Sequence, residues 1–276
     1  GAVLDERRTR FGVRDVRWVH TEGAPADFIS RYQLIVNGRA VRTIGSNLIP
    51  PDLLFGRMGP RTLGLLRRAR ELGANTLRLW GGGVILHDDA YDLADELGIM
   101  LVQELPLANG WPPTDEVFLA NLETTARNIF RQVRNHPSII EFDGGNEMPW
   151  KSNTVHPALQ LLQRIAAEED GRMFRATCPD LGASHGPWDF ELTRRCKHYD
   201  EKETMRYGEF GASGPANLEV WRRTIPPKSQ WPVVGVQEPV LIRKNVVQAV
   251  FGPDFWLRKG FLDATFGPAG DLPEMI

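Results

Sequence analysis

The run Ser138–Trp150, SIIEFDGGNEMPW, constrains the fold more than any other stretch of this 276-residue chain. Three apolar residues, Ile139, Ile140 and Phe142, lie within one short segment without the strict alternation of a half-exposed strand. Such a run suits a parallel sheet covered on both faces. Gly144 and Gly145 follow at once, and a Gly-Gly pair permits a sharp turn or the close approach of another group. Asn146 and Glu147 then stand at the carboxyl end of the strand. In barrel enzymes that end carries the chemistry. A glutamate there can donate a proton, and the adjacent amide can hold a hydroxyl.

The rest of the chain repeats this unit. Leu65, Ala69 and Leu72 recur at helical spacing after Gly59-Pro60, and Thr76–Trp80 (TLRLW) reads as a strand ending in Gly81-Gly82-Gly83. Asp88–Leu97 is a helix bounded by Gly98, and Ile99–Glu104 (IMLVQE) a second apolar strand. Phe118, Leu122, Thr125, Ile129 and Val133 mark a long amphipathic helix. Beyond Ser138–Asp143 come a helix over Pro157–Glu169, a strand over Met173–Thr177 and a strand over Met205–Glu209. Repeated strand–helix units predict a parallel α/β architecture, open or closed. Before them, Phe11–His20 reads as the last strand of a β domain. Gln33–Ile44 reads as a hairpin around Asn37-Gly38.

Composition removes several functions. Apolar residues make up 42% and charged residues 25%, ordinary for a globular domain, and the net charge of −2 offers no attraction to nucleic acid or an anionic membrane. No stretch approaches the roughly 20 apolar residues of a membrane span. The six histidines are scattered without HExxH spacing, and Cys178 and Cys196 lack metal-type spacing. Of the histidines, His87 with Asp88 and Asp89 reads as a helix start, and His136 before Pro137 as structural. Gly81-Gly82-Gly83 has neither phosphate-binding pattern, so no metal or cofactor is expected.

Two carboxylates stand out by position: Glu147, after Gly-Gly-Asn, and Glu209, in Tyr-Gly-Glu-Phe-Gly. Each ends an apparent strand beside glycine. Two carboxyl groups in one pocket are the equipment for cleaving a glycosidic bond. Spacing alone leaves another reading open, with Glu147 capping a helix and Glu209 paired to an arginine. Arg78 is a partner in either case, because a buried arginine on a central strand needs a carboxylate. Trp80 is either a flat face for a sugar ring or core packing.

Several segments, taken together, resemble the catalytic portion of glycoside hydrolase family 2, in its β-mannosidase and exo-β-glucosaminidase branch. They are FGVRDVRW, Val36–Asp52 (VNGRAVRTIGSNLIPPD), Leu77–Gly83 (LRLWGGG), DLADELGIMLVQELPLA, Arg134–Glu147 (RNHPSIIEFDGGNE) and Met205–Pro215 (MRYGEFGASGP). The resemblance covers about residues 11–221, in the family's order. It implies a (β/α)8 barrel over 31–276, preceded by an exit strand of an immunoglobulin-like domain within 1–30, in a fragment of a larger multidomain protein. It implies that Glu147 is the acid/base and Glu209 the nucleophile of a retaining exo-β-glycosidase. Asn146 matches the residue that hydrogen-bonds the 2-substituent. Arg78, Trp80, Asp52 and Tyr207 fall in segments that line the sugar pocket; His185 and Trp188, in SHGPWDF, belong either to that pocket or to a surface loop.

The implied partner is a carbohydrate, a β-glycoside or oligosaccharide with mannoside or glucosaminide favoured. Neither compartment nor oligomeric state is indicated. The chain departs from the branch at Leu48, where tryptophan is usual, at VQELPLA in place of WQDF, and at Gly208, where serine is common. An eighth strand with the family's tryptophan is not evident, so the C-terminal end is either incomplete or divergent, and a helix is expected around Asn245–Gly252. The competing function is a non-catalytic carbohydrate-binding or structural barrel, inactive through missing domains.

Overall fold

From Gly45 onward the short apolar strands line up side by side in one direction, and amphipathic helices carry the chain back between them. The computed structural model describes residues 4–6, 8–27, 31–148, 156–180, 182–186, 206–211, 215–233 and 259–276. Trp188, Cys196 and Asn245–Gly252 lie outside the described residues. The chain divides into two units, Gly1–His185 with Thr204–Glu209, and Gly186–Glu203 with Phe210–Ile276.

The first unit opens with three antiparallel strands, β1 (Val16–His20), β2 (Tyr32–Val36) and β3 (Arg39–Val41). The β2–β3 turn is Asn37-Gly38, both with positive φ (49° and 75°), as the tight hairpin turn demands. A parallel sheet follows in the order β4 (Gly45–Leu48), β5 (Thr76–Leu79), β6 (Met100–Glu104), β7 (Ile139–Asp143) and β8 (Met173–Arg175). A parallel pair, β9 (Ala183–His185) and β10 (Arg206–Glu209), stands apart in hydrogen bonding. Counted from β4, β7 is the fourth parallel strand and β10 the seventh. Among the described residues the two parallel sheets share no ladder.

Four helices return the chain: α1 (Met58–Glu71), α2 (Asp88–Leu97), α3 (Glu116–Val133) and α4 (Pro157–Glu169). Their ends follow local chemistry. The Asp115 side chain accepts from Phe118 N–H at the start of α3, and α2 stops at Gly98, whose φ of 67° suits glycine. Asp88 and Asp89 occupy the first turn of α2, where the helix dipole favours anions. His136 has a structural partner, with Nδ1 at 2.8 Å from Asp95. On α3 the buried residues Leu122, Ala126, Ile129, Phe130 and Val133 form one stripe. Phe130 meets Phe142 of β7 with ring centroids 4.6 Å apart, a contact worth roughly 0.5–1.5 kcal/mol beyond area burial.

β7 is buried along its whole length. Ile139 and Phe142 join the helix-side core, whereas Ile140 packs with Val102 and Leu34 in a second cluster. Strict alternation would send Ile139 and Phe142 to opposite faces. The register shift between β6 and β7 resolves this: Leu101 pairs with Ile139 and Val102 with Glu141, leaving Ile140 as the extra residue. Leu34, from the antiparallel sheet, thus packs on the face of the parallel sheet away from the helices. Trp18 Nε1 donates to Ile140 O at 3.3 Å, and the Arg14 guanidinium donates to the carbonyls of Pro137 and Ile139. β1, within the segment read as an exit strand, is an edge strand of this small sheet.

The second unit holds a smaller apolar cluster of Trp221, Ile225, Val233, Leu272 and Met275. Its short helix Leu218–Thr224 begins at Asn217, whose side chain accepts from Val220 N–H. Among the described residues, no helix is long and apolar enough to cross a membrane.

Candidate active site

Parallel strands converge their carboxyl ends, and here those ends meet on one guanidinium. Arg78, on β5 and 5% exposed, is bound by four side chains. Nε donates to Glu104 Oε1 at 2.8 Å, and Nη2 to Asn146 Oδ1 at 2.6 Å. Nη1 donates to Glu209 Oε1 at 2.8 Å and to Asn47 Oδ1 at 3.2 Å. The acceptors come from β6, the turn after β7, β10 and β4. A charge this buried is tolerable only with such compensation. Glu104 is fixed in turn by Gly81 N–H, at 2.6 Å from Oε2.

The Gly-Gly pair lets the chain leaving β7 pass between its neighbours. A Cβ at Gly144 would lie 2.3 Å from Ala176 O, and one at Gly145 would lie 2.6 Å from Leu107 O. The backbone then bridges both sides. Asn146 N–H donates to Leu107 O, Asn109 N–H to Asn146 O, and Glu147 N–H to Cys178 O at 2.7 Å. Glu147 has φ of 47°, a left-handed conformation that glutamate rarely adopts. Neighbouring hydrogen bonds over-determine it, as expected of strain stored at a functional site.

This turn presents Glu147 to His185 at the end of β9. His185 Nδ1 lies 3.0 Å from Glu147 Oε1 and 3.7 Å from Glu209 Oε2. Ligand atoms of Glu147, His185 and Glu209 all lie within 4.8 Å of one another. The Glu147 side chain is 35% exposed and that of Glu209 17%, so both are open to a ligand. The hydrogen bond from His185 holds Glu147 below the ordinary carboxylate value, against the opposing pull of partial burial.

A second charged layer lies deeper. Glu141 on β7 is ion-paired to Arg175 and Arg206, and although burial opposes its charge these two cations hold it down to about 2. Burial pushes Asp143 well above the usual range, and the Glu141 charge adds to it. Burial and the Glu141 charge thus favour the neutral form of Asp143, while the two arginines favour the charged form of Glu141.

The other expected pocket residues are placed as follows. Trp80 is half-buried, its ring packed on Gly82, where a Cβ would come within 2.0 Å of it. Tyr207 is half-buried on β10, in register with Ser184. Asp52 follows β4, accepts from Leu54 N–H and pairs with Arg61 at 3.0 Å. Glu104, Asn47, Asn109 and Cys178 were not singled out by sequence. Glu104 carries the same signal as Glu147 and Glu209, an acid ending an apolar strand. Asn109, whose Oδ1 accepts from Asn146 Nδ2 at 2.6 Å, has no such signal.

Among the described residues three groups of acidic, His or Cys side chains are close enough to hold a cation: Asp92 with Asp95 and His136, Glu104 with Asp143 and Cys178, and Glu147 with His185 and Glu209. In the last, Arg78 already supplies a cation to Glu209. The arrangement suits proton transfer and nucleophilic attack between two facing carboxylates.

Over 185 residues the chain is 43% identical to β-mannosidase A of Aspergillus aculeatus, a match of 66% of this chain and 19% of that protein. It is similar in structure to a β-D-mannosidase of Dictyoglomus thermophilum, with TM-score 0.71, 28% identity, and coverage of 83% of this chain and 31% of that one. An exo-chitosanase of Amycolatopsis orientalis shares the fold, with TM-score 0.79 and 20% identity over 99% of this chain and 33% of that one. The chain thus spans 19% of the length of the fungal relative. No family model matches it.

Proposed function

We propose that this chain, which resembles the catalytic domain of glycoside hydrolase family 2 in both sequence and fold, acts as a retaining exo-β-glycosidase. One observation carries the reading: carboxylate oxygens of Glu147 and Glu209 lie within 4.8 Å of each other. Retaining pairs stand about 5–5.5 Å apart, whereas inverting pairs need about 6.5–9.5 Å to admit a water. Supporting it, Glu147 follows the fourth parallel strand and Glu209 ends the seventh, in keeping with a (β/α)8 barrel whose carboxyl face holds the site.

In this mechanism Arg78, donating to Glu209 Oε1 at 2.8 Å, supplies the cation that faces the nucleophilic carboxylate. A sugar entering the cleft excludes water, which disfavours two adjacent anions. The proton then rests on Glu147, the carboxylate without an arginine. Glu209 attacks the anomeric carbon while the bond to the leaving oxygen breaks and that oxygen takes the proton of Glu147. A glycosyl ester on Glu209 results. Glu147, now a carboxylate held by His185, takes a proton from water. The water oxygen attacks the same carbon and releases Glu209. Acid–base assistance of this kind contributes roughly 10²–10⁴-fold.

β-Mannosides and β-glucosaminides are the favoured substrates, following the activities of the similar proteins. Asn146 fits recognition of the 2-substituent. Its Oδ1 is committed to Arg78 and one Nδ2 hydrogen to Asn109, so one donor remains for a ligand.

A panel of nitrophenyl β-glycosides tests the proposal, with Glu147→Ala and Glu209→Ala as controls. The expected result is turnover abolished in both, with azide restoring the Glu209 variant and giving a glycosyl azide of inverted configuration. Turnover indifferent to either change overturns it. Binding of sugars without turnover in the unaltered protein would favour the non-catalytic reading.

A further inference from the structure

Cys178 follows β8 and takes no part in the mechanism above, yet its Sγ lies 3.3 Å from His185 Nε2. The other ring nitrogen is the one that faces Glu147 and Glu209. Space for this thiol is made by a neighbour. A Cβ at Gly208 would lie 2.5 Å from Cys178 Sγ and 2.8 Å from His185 Nε2. Gly208, Cys178 and His185 are therefore fitted to one another.

We infer that Cys178 is a positioning residue: its S–H donates to His185 Nε2 and so fixes the imidazole as the tautomer with its proton on Nδ1, aimed at the two carboxylates. This rests on the proposed roles of Glu147 and Glu209. The thiol is buried, and desolvation pushes it up to about 12, so it holds its proton throughout the working range. A neutral thiol donating to Nε2 leaves Nδ1 as the protonated nitrogen. The charged and titratable groups facing the ring are Glu147, Glu209 and Cys178, with Glu104 and Arg78 beyond them. Ionised Glu147 accepts from Nδ1, but protonated Glu147 could donate to a bare Nδ1, so the carboxylates alone do not fix the tautomer.

The opposite tautomer would present a lone pair to the cleft. A protonated Glu147 would then donate to Nδ1, and its proton would be withdrawn from the leaving oxygen. The thiol thus keeps the acid's proton available in the first step and its anion stabilised in the second.

Ring-nitrogen chemical shifts of 15N-histidine-labelled full chain report the tautomer directly, with His185→Gln assigning the signal. The unaltered protein and Cys178→Ser, which keeps a donor, are expected to show Nδ1–H with bare Nε2. Cys178→Ala is expected to populate Nε2–H. In parallel, kcat of Cys178→Ala on a nitrophenyl β-glycoside is expected to fall about five- to tenfold, as for one lost hydrogen bond, with KM little changed. The basic limb of its pH profile moves to higher pH, because Glu147 loses the donor that lowers its pKa. Cys178→Ser restores both.

Gly208→Ala, which displaces the thiol without removing it, is expected to reproduce the tautomer change and supplies the second arm where the alanine variant does not fold. An Nδ1–H signal unchanged in both Cys178→Ala and Gly208→Ala overturns the inference. The labelling arm needs no turnover, so it decides even if the glycosidase reading itself fails.

Discussion

Replacing Arg78 by methionine keeps an unbranched stem and removes the charge that joins four strand ends. Glu104, 2% exposed, loses its cation, and Asn146, also 2% exposed, loses the donor to its Oδ1. Breaking a buried ion pair from one side costs about 3–5 kcal/mol, because the remaining charge is uncompensated. An orphaned buried acceptor adds about 1–3 kcal/mol. The expected loss is therefore about 4–8 kcal/mol, against a typical domain stability of about 5–15 kcal/mol. Most of it arises from the stranded charge and not from lost attraction. Adding Glu104→Gln removes that charge and keeps an oxygen for Gly81 N–H. The double variant should thus recover about 2–4 kcal/mol relative to Arg78→Met. Urea unfolding followed by tryptophan fluorescence measures both. Hydrolysis of nitrophenyl glycosides stays lost in the double variant, because Glu209 still lacks its guanidinium. A double variant no more stable than Arg78→Met, or one that regains turnover, refutes the argument.

Asp143 has a folded pKa raised above the ordinary 3.8, so the stability tied to its neutral form is fully present below that value and fades as pH rises through the folded pKa. Asp143→Asn is therefore expected to flatten the alkaline decline of the urea midpoint, and an unchanged slope would count against a neutral Asp143. Gly144→Ala drives a Cβ to 2.3 Å from Ala176 O, so the backbone must shift. A loss of about 1–3 kcal/mol and a drop in kcat are expected, checked by thermal unfolding and a rate assay. Leu34→Ala empties the contact between the antiparallel sheet and Val102 with Ile140, at an expected cost of about 2–5 kcal/mol in the urea midpoint.

Much of the architecture is legible along the chain because periodicity is a local property. The helices over Asp88–Leu97 and Pro157–Glu169 have the predicted ends, since Gly98 and Pro157 punctuate them. The strands read between Thr76 and Glu209 differ from expectation by a residue or two, as at Met100–Glu104, whereas β1 starts at Val16 and not Phe11, and no apolar pattern announces the short β4 and β9. Gly144 and Gly145 also read correctly as a place of close approach. The need of Arg78 for a carboxylate follows from burial alone, and the structure supplies two. What local pattern does not encode is pairing across the sheet. Nothing in the spacing of Cys178 and His185 says that a thiol meets an imidazole, nor that Asn109 reaches Asn146. The shifted register of β6 and β7 is hidden for the same reason, because it depends on which residue stands opposite and not on which comes next.

That offset carries a consequence for how the segment can vary over evolution. Ile139 and Phe142 face one way and Ile140 with Glu141 the other only while the surplus residue is present. Dropping or gaining a single amino acid here would turn the buried acids toward oil and the aromatic ring toward charge. Variants of this chain are expected to exchange side chains along that stretch while its length stays frozen.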